Sequence, residues 1–454
     1  MTNVLLIDPS YRVPGYFQTK DIYPHTGLLL MGTLLKHAGH KVKVVHTLSD
    51  GITLKSLPDL VRGFKPDIVG ITMVTFQLRY AYEVAKAVKN ISRKILVAVG
   101  GAHPSAIPLT QDTNLPFNEY VDMVNVGEGE LPMLAFAETG ERKSYAPVQL
   151  NDLPFIDLSL TDIRKFIGIY PPGHLPSMPF IFSRGCPFNC KFCSKSVFGD
   201  KVRFRATKLV VEEIKQMNEQ YGVKEVFFQD DTFNTNLEYC HNLIDGLISA
   251  GLNTKMWFRA RLRANEKLVT KELLNKMGKA RFWNVFYGVE NGNQEMLDRS
   301  IGKQLQIAEI QRAFKMTREA GIKTEASFII GMPGETVSTI QDSFNLYREI
   351  KPDWCTFNAA IPFPGTPFEQ EVRKKGQLVC DKYEDYNLTG IFVSTDALTW
   401  HDLKAWGQAA NDMMIKDRLK HPHLFLGVVR DIIRNPSHAI KRAISLVKGG
   451  DSGR

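Results

Sequence analysis

The chain has 454 residues, 44% of them hydrophobic and 23% charged; it is too long for one simple domain and too apolar to be disordered. No apolar run approaches the roughly 18 residues of a membrane span, which excludes a polytopic membrane protein. The 57 Lys and Arg outweigh 48 Asp and Glu for a net charge of +9, which suits acidic ligands, an anionic lipid surface or nucleic acid without choosing among them.

Val4–Ile7 reads as a strand. Met1–Asp8 has no basic n-region and no cleavage site, so it is not a signal peptide and the expected compartment is cytoplasmic. Gly27–Ala38 (GLLLMGTLLKHA) reads as a helix that stops at Gly39. Further strands are predicted at Val42–His46, Ile68–Thr72, Ile95–Val99 and Met123–Val126, with a polar helix over Tyr80–Asn90. Buried strands separated by helices predict an α/β fold, a doubly wound (Rossmann-like) parallel sheet over residues 1–140. Ligands of such sheets bind beyond the carboxyl ends of the strands. Residues 141–179 are Pro-rich, show no period and read as a linker. From Phe180 the alternation restarts, with strands predicted at Phe180–Ser183, Glu225–Gln229, Lys255–Arg259, Trp283–Gly288, Lys323–Ile330 and Trp354–Ala359 and helices such as Leu209–Gln220 and Ile307–Ala320 between them. Six such units predict a partial (β/α)6 TIM barrel over 180–375. Residues 376–454 are expected to form a C-terminal helical region. Its last stretch, Lys416–Arg454, holds nine Lys and Arg against three Asp and Glu, with Leu424, Phe425, Leu426, Val428, Val429, Ile432 and Ile433 interleaved. The preferred reading is an apolar face that covers the barrel's open edge; the alternative is peripheral association of these helices with an anionic membrane surface.

Six cysteines make no disulfide framework, but Cys186, Cys190 and Cys193 fall within Arg184-Gly185-Cys186-Pro187-Phe188-Asn189-Cys190-Lys191-Phe192-Cys193. Such a cluster in a cytosolic chain reads as a metal site. Three thiolates can hold three irons of a [4Fe–4S] cluster, which leaves the fourth iron open for chemistry. The alternative, structural zinc, normally closes with a fourth Cys or His, and Cys240, Cys355 and Cys380 are isolated.

The C-x3-C-x-aromatic-C spacing, with Phe192 as the aromatic, resembles the signature of radical SAM enzymes. Gly331-Met332-Pro333-Gly334-Glu335-Thr336 resembles that family's GxPGET element, Pro364-Gly365-Thr366-Pro367 its PGTP element, and Tyr287-Gly288-Val289-Glu290 its GVE strand end. The N-terminal half is similar to the cobalamin-binding-type domain that precedes many such barrels in the class B methyltransferase-like group. That likeness rests on Pro24-x-x-Gly27, Ala38-Gly39-His40-x-Val42, Gly100-Gly101-x-His103-Pro104 and Val126-Gly127-Glu128-Gly129-Glu130. The D-x-H-x-x-G motif that supplies a cobalt-ligating His elsewhere is absent. The resemblance implies three cofactors: a [4Fe–4S] cluster, S-adenosyl-L-methionine (SAM) and cobalamin. It implies that SAM bound at the open iron is cleaved to a 5′-deoxyadenosyl radical, which abstracts hydrogen from a small-molecule or lipid substrate. An external electron donor such as flavodoxin or ferredoxin is implied, and no nucleic acid. Cobalamin-dependent C-methylation is the favoured reaction. The alternatives are cobalamin-independent dehydration, rearrangement or ring contraction with the N-terminal domain as scaffold and, outside catalysis, a passive iron–sulfur protein.

Individual residues follow from strand ends. Asp230 and Asp231 close the second barrel strand, where site residues of barrels lie, and are candidates for the SAM ammonium; helix capping by Asp231 or Thr232 is the plainer reading. Arg259 and Arg261 share one side of the third strand and are candidates for the SAM carboxylate, or for a salt bridge. Glu290 is a candidate for the SAM ribose or amine, or for an ion pair. Gly331, Pro333 and Gly334 are assigned to SAM by resemblance. Gly100, Gly101 and Gly127 would let backbone approach a flat ligand, or serve only tight turns; Glu128 stands beside them. His103 is a candidate cobalt neighbour or an ordinary loop His. Cys355 is a candidate hydrogen donor, with a buried apolar thiol favoured over it.

Overall fold

The computed structural model describes residues 1–10, 23–143, 145–166, 174–387 and 390–420. The first domain is a parallel sheet of β1 (Asn3–Asp8), β2 (Lys41–His46), β3 (Ile68–Thr72), β4 (Leu96–Gly100) and β5 (Met123–Val124), in the order β2-β1-β3-β4-β5. Alternate side chains serve two cores: Leu5, Ile7, Val69, Ile71, Val97 and Val99 fill one, and Val4, Leu6, Ile68 and Ala98 the other. Burial on both faces explains why these strands read as continuous apolar runs. Strand order reverses between β1 and β3, which opens a crevice at their carboxyl ends. Helix α1 (Thr26–His37) borders that crevice; His25 caps it, its Nδ1 accepting from the Leu28 N–H at 3.2 Å.

The expected linker is a packed strap. Short 3₁₀ turns at Leu150–Asp152, Leu158–Leu160 and Ile163–Lys165 carry it. Leu150, Leu153, Ile156, Leu158 and Ile163 are buried in the apolar core that also holds Leu28 and Leu29 of α1 and Val210 and Ile214 of the barrel. Its length closes the seam between the two units by hydrophobic burial.

The barrel strands are β6 (Ser177–Phe180), β9 (Glu225–Phe228), β10 (Trp257–Leu262), β11 (Phe282–Glu290), β12 (Lys323–Ile330) and β13 (Trp354–Ala359), parallel and in chain order, with no pairing that closes β13 onto β6. Between them, β7 (Ser183–Arg184) and β8 (Arg203–Phe204) form an antiparallel pair that brackets the cysteine loop. Phe228, Phe258, Ala260, Val285, Tyr287, Ala326 and Phe328 join the apolar core. The alternate residues face the lumen, which is polar: the side chains of Arg259, Asn284 and Glu325 meet one another there.

The first barrel strand differs from expectation by starting at Ser177, with Pro179 inside it. β6 pairs only with β9, and an edge strand tolerates a residue with no N–H to donate. The third starts at Trp257 because a helical turn, Leu252–Lys255, precedes it. The C-terminal region is not wholly helical. Leu378 and Val393 form an isolated bridge, and Tyr383, Tyr386 and Phe392 pack back into the core of the first domain. The helix Trp400–Lys420 then packs on β13 and β12, burying Leu403, Ala410 and Met414 and so covering the open edge. The basic segment beyond Lys420, Leu424 to Ile433 included, lies outside the described residues.

Candidate functional site

The cysteine loop is held by backbone. Gly185 has φ +94°, and a Cβ there would lie 2.3 Å from the Lys201 carbonyl oxygen, so only glycine fits. The Cys186 N–H donates to the Gly199 carbonyl, the Cys193 N–H to the Cys190 carbonyl, and the Lys191 N–H to the Ile301 carbonyl above the barrel. Phe192 packs against the apolar core and anchors the turn. Cys186 Sγ stands 3.8 Å from Thr232 Oγ1, and Cys190 Sγ accepts from Arg263 Nη1 at 3.7 Å. Cys193 is exposed at the tip of the loop, with Cys190, Cys186, Asp231 and Lys195 as its charged or titratable neighbours. A bound metal would hold it as the thiolate, because coordination deprotonates a thiol outright. Among the described residues no three His, Cys, Asp or Glu side chains gather as a single ion would require. Three thiols with no fourth Cys beside them suit a cluster in which each sulfur takes a different iron.

The strand-end residues divide. Asp230 is fully buried; its Oδ1 accepts from the N–H groups of Phe182 and Ser183 and from Ser183 Oγ at 2.6 Å. Burial pushes its carboxyl up to about 7, with the Ser183 bonds opposing. It therefore positions the arm that leads into the cysteine loop, in place of the expected role at the SAM ammonium. Asp231 is exposed at the barrel mouth, with Arg261 and Lys195 as its cationic neighbours. Arg259 is fully buried and bound to Asn284 Oδ1 at 3.1 Å and Glu325 Oε2 at 3.0 Å, so the salt-bridge reading replaces the SAM carboxylate for it. Glu290 likewise forms an ion pair, 2.6 Å from Lys303 Nζ, on a bulge where its own φ is +68°. Gly331 has φ +104° and Gly334 φ +82°, with Pro333 buried between them. This turn is locked by Glu335, whose carboxylate accepts from the Gly331 N–H at 2.5 Å and from Asn291 Nδ2 at 2.9 Å. Burial pushes Glu335 up to about 7. Cys355 is buried in the apolar core, as favoured. Sequence reasoning missed Arg263, although it continues the alternation that singled out Arg259 and Arg261, and it took Thr232 only as a helix cap, whereas its side chain makes no cap bond and stands at Cys186 Sγ.

A cleft opens beside this loop, between the sheet's carboxyl ends and the barrel. Gly100, Gly101, Gly127, Gly129 and Asn125 line one side, and Phe180, Phe182, Val197 and Phe198 the other, and the cleft is open to solvent. Gly101 has φ +112° and a Cβ there would lie 2.6 Å from the Met73 carbonyl oxygen. A Cβ on Gly127 would project into free space, meeting only the Val197 carbonyl oxygen at 3.9 Å. Glu128 also lines the cleft, but its carboxylate is engaged: it pairs with Arg184 Nη1 at 2.9 Å and with Arg203, and accepts from the Val148 N–H. His103 is corrected too. It lies outside the lining, buried against Tyr383 at 5.5 Å with Nδ1 on Thr75 Oγ1, and burial lowers its pKa to about 4. His25 does line the cleft, but Nδ1 serves Leu28 and Nε2 lies 3.3 Å from Thr72 Oγ1. The wide, glycine-walled cleft fits a flat macrocycle, and both nitrogens of the His25 imidazole already have partners.

Residues 180–347 match the Radical SAM superfamily and residues 18–137 the B12 binding domain. An uncharacterized methyltransferase of Pyrococcus horikoshii is 27% identical over 93% of this chain and 92% of its own length. The anaerobic magnesium-protoporphyrin IX monomethyl ester cyclase of Cereibacter sphaeroides is 26% identical over 88% of this chain and 68% of its own length. The fold is shared with the radical SAM methyltransferase TsrM of Kitasatospora setae at a TM-score of 0.66, 17% identity, and coverage of 83% of this chain and 75% of that one. These domains imply a [4Fe–4S] cluster, SAM and cobalamin, and the cysteine loop and the cleft fit them. The chain belongs to the radical SAM enzymes that carry a B12-binding domain ahead of the barrel.

Proposed function

We propose that the protein methylates an unactivated carbon of a small-molecule or lipid substrate, with residues 1–140 and 180–375 as the working units. The observation that carries this reading is the cleft itself. The loops of Gly100, Gly101 and Gly127 face the arm of Arg184, Val197 and Phe198 that frames the cysteines, so a group held in the cleft would lie beside the cysteine loop. When bound, the cluster with SAM supplies a hydrogen-abstracting radical and cobalamin supplies a methyl carrier.

Cys186, Cys190 and Cys193 would hold three irons, and Arg263 stabilises the Cys190 thiolate by a charge-assisted bond. Gly331 to Thr336, fixed by Glu335, would present a backbone turn to SAM. Phe180, Phe182 and Phe198 would exclude water from their side of the cleft. The methyltransferase name of the Pyrococcus relative supports methyl transfer over the cobalamin-independent alternatives. An external one-electron donor of the flavodoxin or ferredoxin kind is required. Among the described residues no helix is long and apolar enough to cross a membrane.

Anaerobic purification with hydroxocobalamin tests the proposal. Near-stoichiometric cobalt and about four irons per chain are expected, with loss of the iron in Cys193→Ala. In turnover, 5′-deoxyadenosine and S-adenosylhomocysteine should accumulate together. A cobalt-free protein that still makes 5′-deoxyadenosine and product would overturn methyl transfer, and stoichiometric zinc would overturn the cluster.

A further inference from the structure

β10 places three arginines at alternate positions, Arg259, Arg261 and Arg263, which period 2 directs into the lumen. Two of them have partners. Arg259 is bound to Asn284 and Glu325. Arg263 donates to Cys190 Sγ and to Asn265 Oδ1, and lies 3.8 Å over the Phe188 ring. Arg261 has neither a hydrogen bond nor an ion pair among the described residues. Its guanidinium is flanked by the rings of Phe227 at 5.4 Å and Phe286 at 5.6 Å, and its Nε is buried with no partner. Burial lowers its pKa; Glu325, Tyr23 and Asp231 oppose that, and Arg259 adds to it. Among the described residues Glu325 is already engaged by Arg259, and Asp231 at the barrel mouth acts on Arg261 only from beyond ion-pair distance.

Arg261 is half-buried, with its Nε sealed from solvent and the rest of the guanidinium facing the open lumen; a charge drawn partly out of water without a partner carries a cost, which a ligand reaching the open nitrogens would offset. Across the lumen the wall is polar and open. Thr356 and Asn358 of β13 are exposed, and Asn358 Nδ2 donates to Ser327 Oγ at 3.0 Å and to Thr356 Oγ1 at 3.2 Å. Arg261 stands roughly 6–7 Å further down the strand than Arg263, one pleat repeat away from the cysteine loop. The cysteine end of the strand already has its cation in Arg263, and Arg261 lies one pleat repeat deeper in the lumen.

We propose that Arg261, with Ser327, Thr356 and Asn358 opposite, seats an anionic group of the substrate, a carboxylate or a phosphate, in the barrel lumen. This rests on the radical SAM reading of the barrel mouth and adds to it the chemical class of the substrate. A guanidinium suits this role because its planar fork pairs bidentately with either group.

Calorimetric titration of the anaerobically reconstituted full chain with inorganic phosphate, and separately with acetate, tests it. At least one of the two should bind at a single site. Arg261→Gln should weaken that binding by about tenfold or more, and Arg261→Lys by less. Arg261→Met should raise the melting temperature of the ligand-free protein, because it removes an unpaired charge; a fall would show that the residue is structural and overturn the proposal. Anion binding indifferent to Arg261→Gln would overturn it as well. SAM that competes with phosphate, together with lost SAM affinity in Arg261→Gln, would assign the guanidinium to the SAM carboxylate and refute a substrate role. Failure of the cofactor reading is seen separately, as no 5′-deoxyadenosine from SAM and dithionite, whereas the anion titration needs neither reagent.

Discussion

Arg184 is where the two domains are tied together electrostatically. It precedes Gly185-Cys186, and its guanidinium bridges Glu128 at 2.9 Å and Glu130 at 2.5 Å, with side-chain exposures of 9%, 5% and 7%. Arg203 supplies the second cation, on Glu128, so two buried carboxylates face two guanidiniums. Arg184→Met would leave two carboxylates to one cation. Removing one partner of a buried pair costs about 3–5 kcal/mol, most of it from the charge left behind. At about 2–4 °C per kcal/mol, the melting temperature should fall by about 6–20 °C, read by circular dichroism on anaerobic protein. The triple variant Arg184→Met, Glu128→Gln, Glu130→Gln should recover most of that loss, because no charge is stranded. The same brace spans the cleft, so the single variant should also bind hydroxocobalamin more weakly. A loss below about 1 kcal/mol, or strictly additive losses in the triple variant, would refute the reasoning.

Gly185→Ala should lose its iron, because both the φ of +94° and the 2.3 Å approach to the Lys201 carbonyl oxygen forbid a Cβ; an alanine variant that keeps its full iron content would refute this. Lys303→Met strands the buried Glu290 carboxylate and should cost about 3–5 kcal/mol in chemical denaturation, whereas Lys303→Met with Glu290→Gln should cost less. Asp230 gives a pH signature. Its folded pKa of about 7 stands above the model-compound 3.8, so between those values the folded state holds a proton that the unfolded state has lost. Its contribution is therefore complete below about pH 4 and is lost as the pH rises through about 7. Asp230→Asn should flatten the stability profile between pH 4 and 7, and an unchanged slope would count against the assignment.

How much of this was legible beforehand depended on whether the signal was local. The cysteine loop was, because three ligands and their aromatic lie within eight residues and their spacing is fixed by the turn they make. So were the parallel sheets, since strands buried on both faces leave apolar runs whatever packs on them. The strap at Leu150, Leu153, Ile156 and Leu158 was not. A segment that packs irregularly into a seam between two domains keeps no period, and so it read as a linker. Pro179 hid the start of the first barrel strand, because a proline in a strand is acceptable only at an edge, and which strand is the edge is a property of the whole sheet.

The charged residues show the same limit from the other side. Alternation put Arg259 and Arg261 on one face of β10, and that was correct, but their roles depended on partners far away in the chain. Glu325 lies 66 residues from Arg259, and Arg184 lies 56 from Glu128. Two residues identical in type, face and strand thus part company: one is paired with a carboxylate two strands away and the other forms no ion pair among the described residues. A charge at a barrel strand end is a candidate for ligand binding only after the fold has assigned the counter-charges. By that criterion Asp230, Arg259, Glu290 and Glu128 are supports, and Arg261 keeps an open valence toward the lumen.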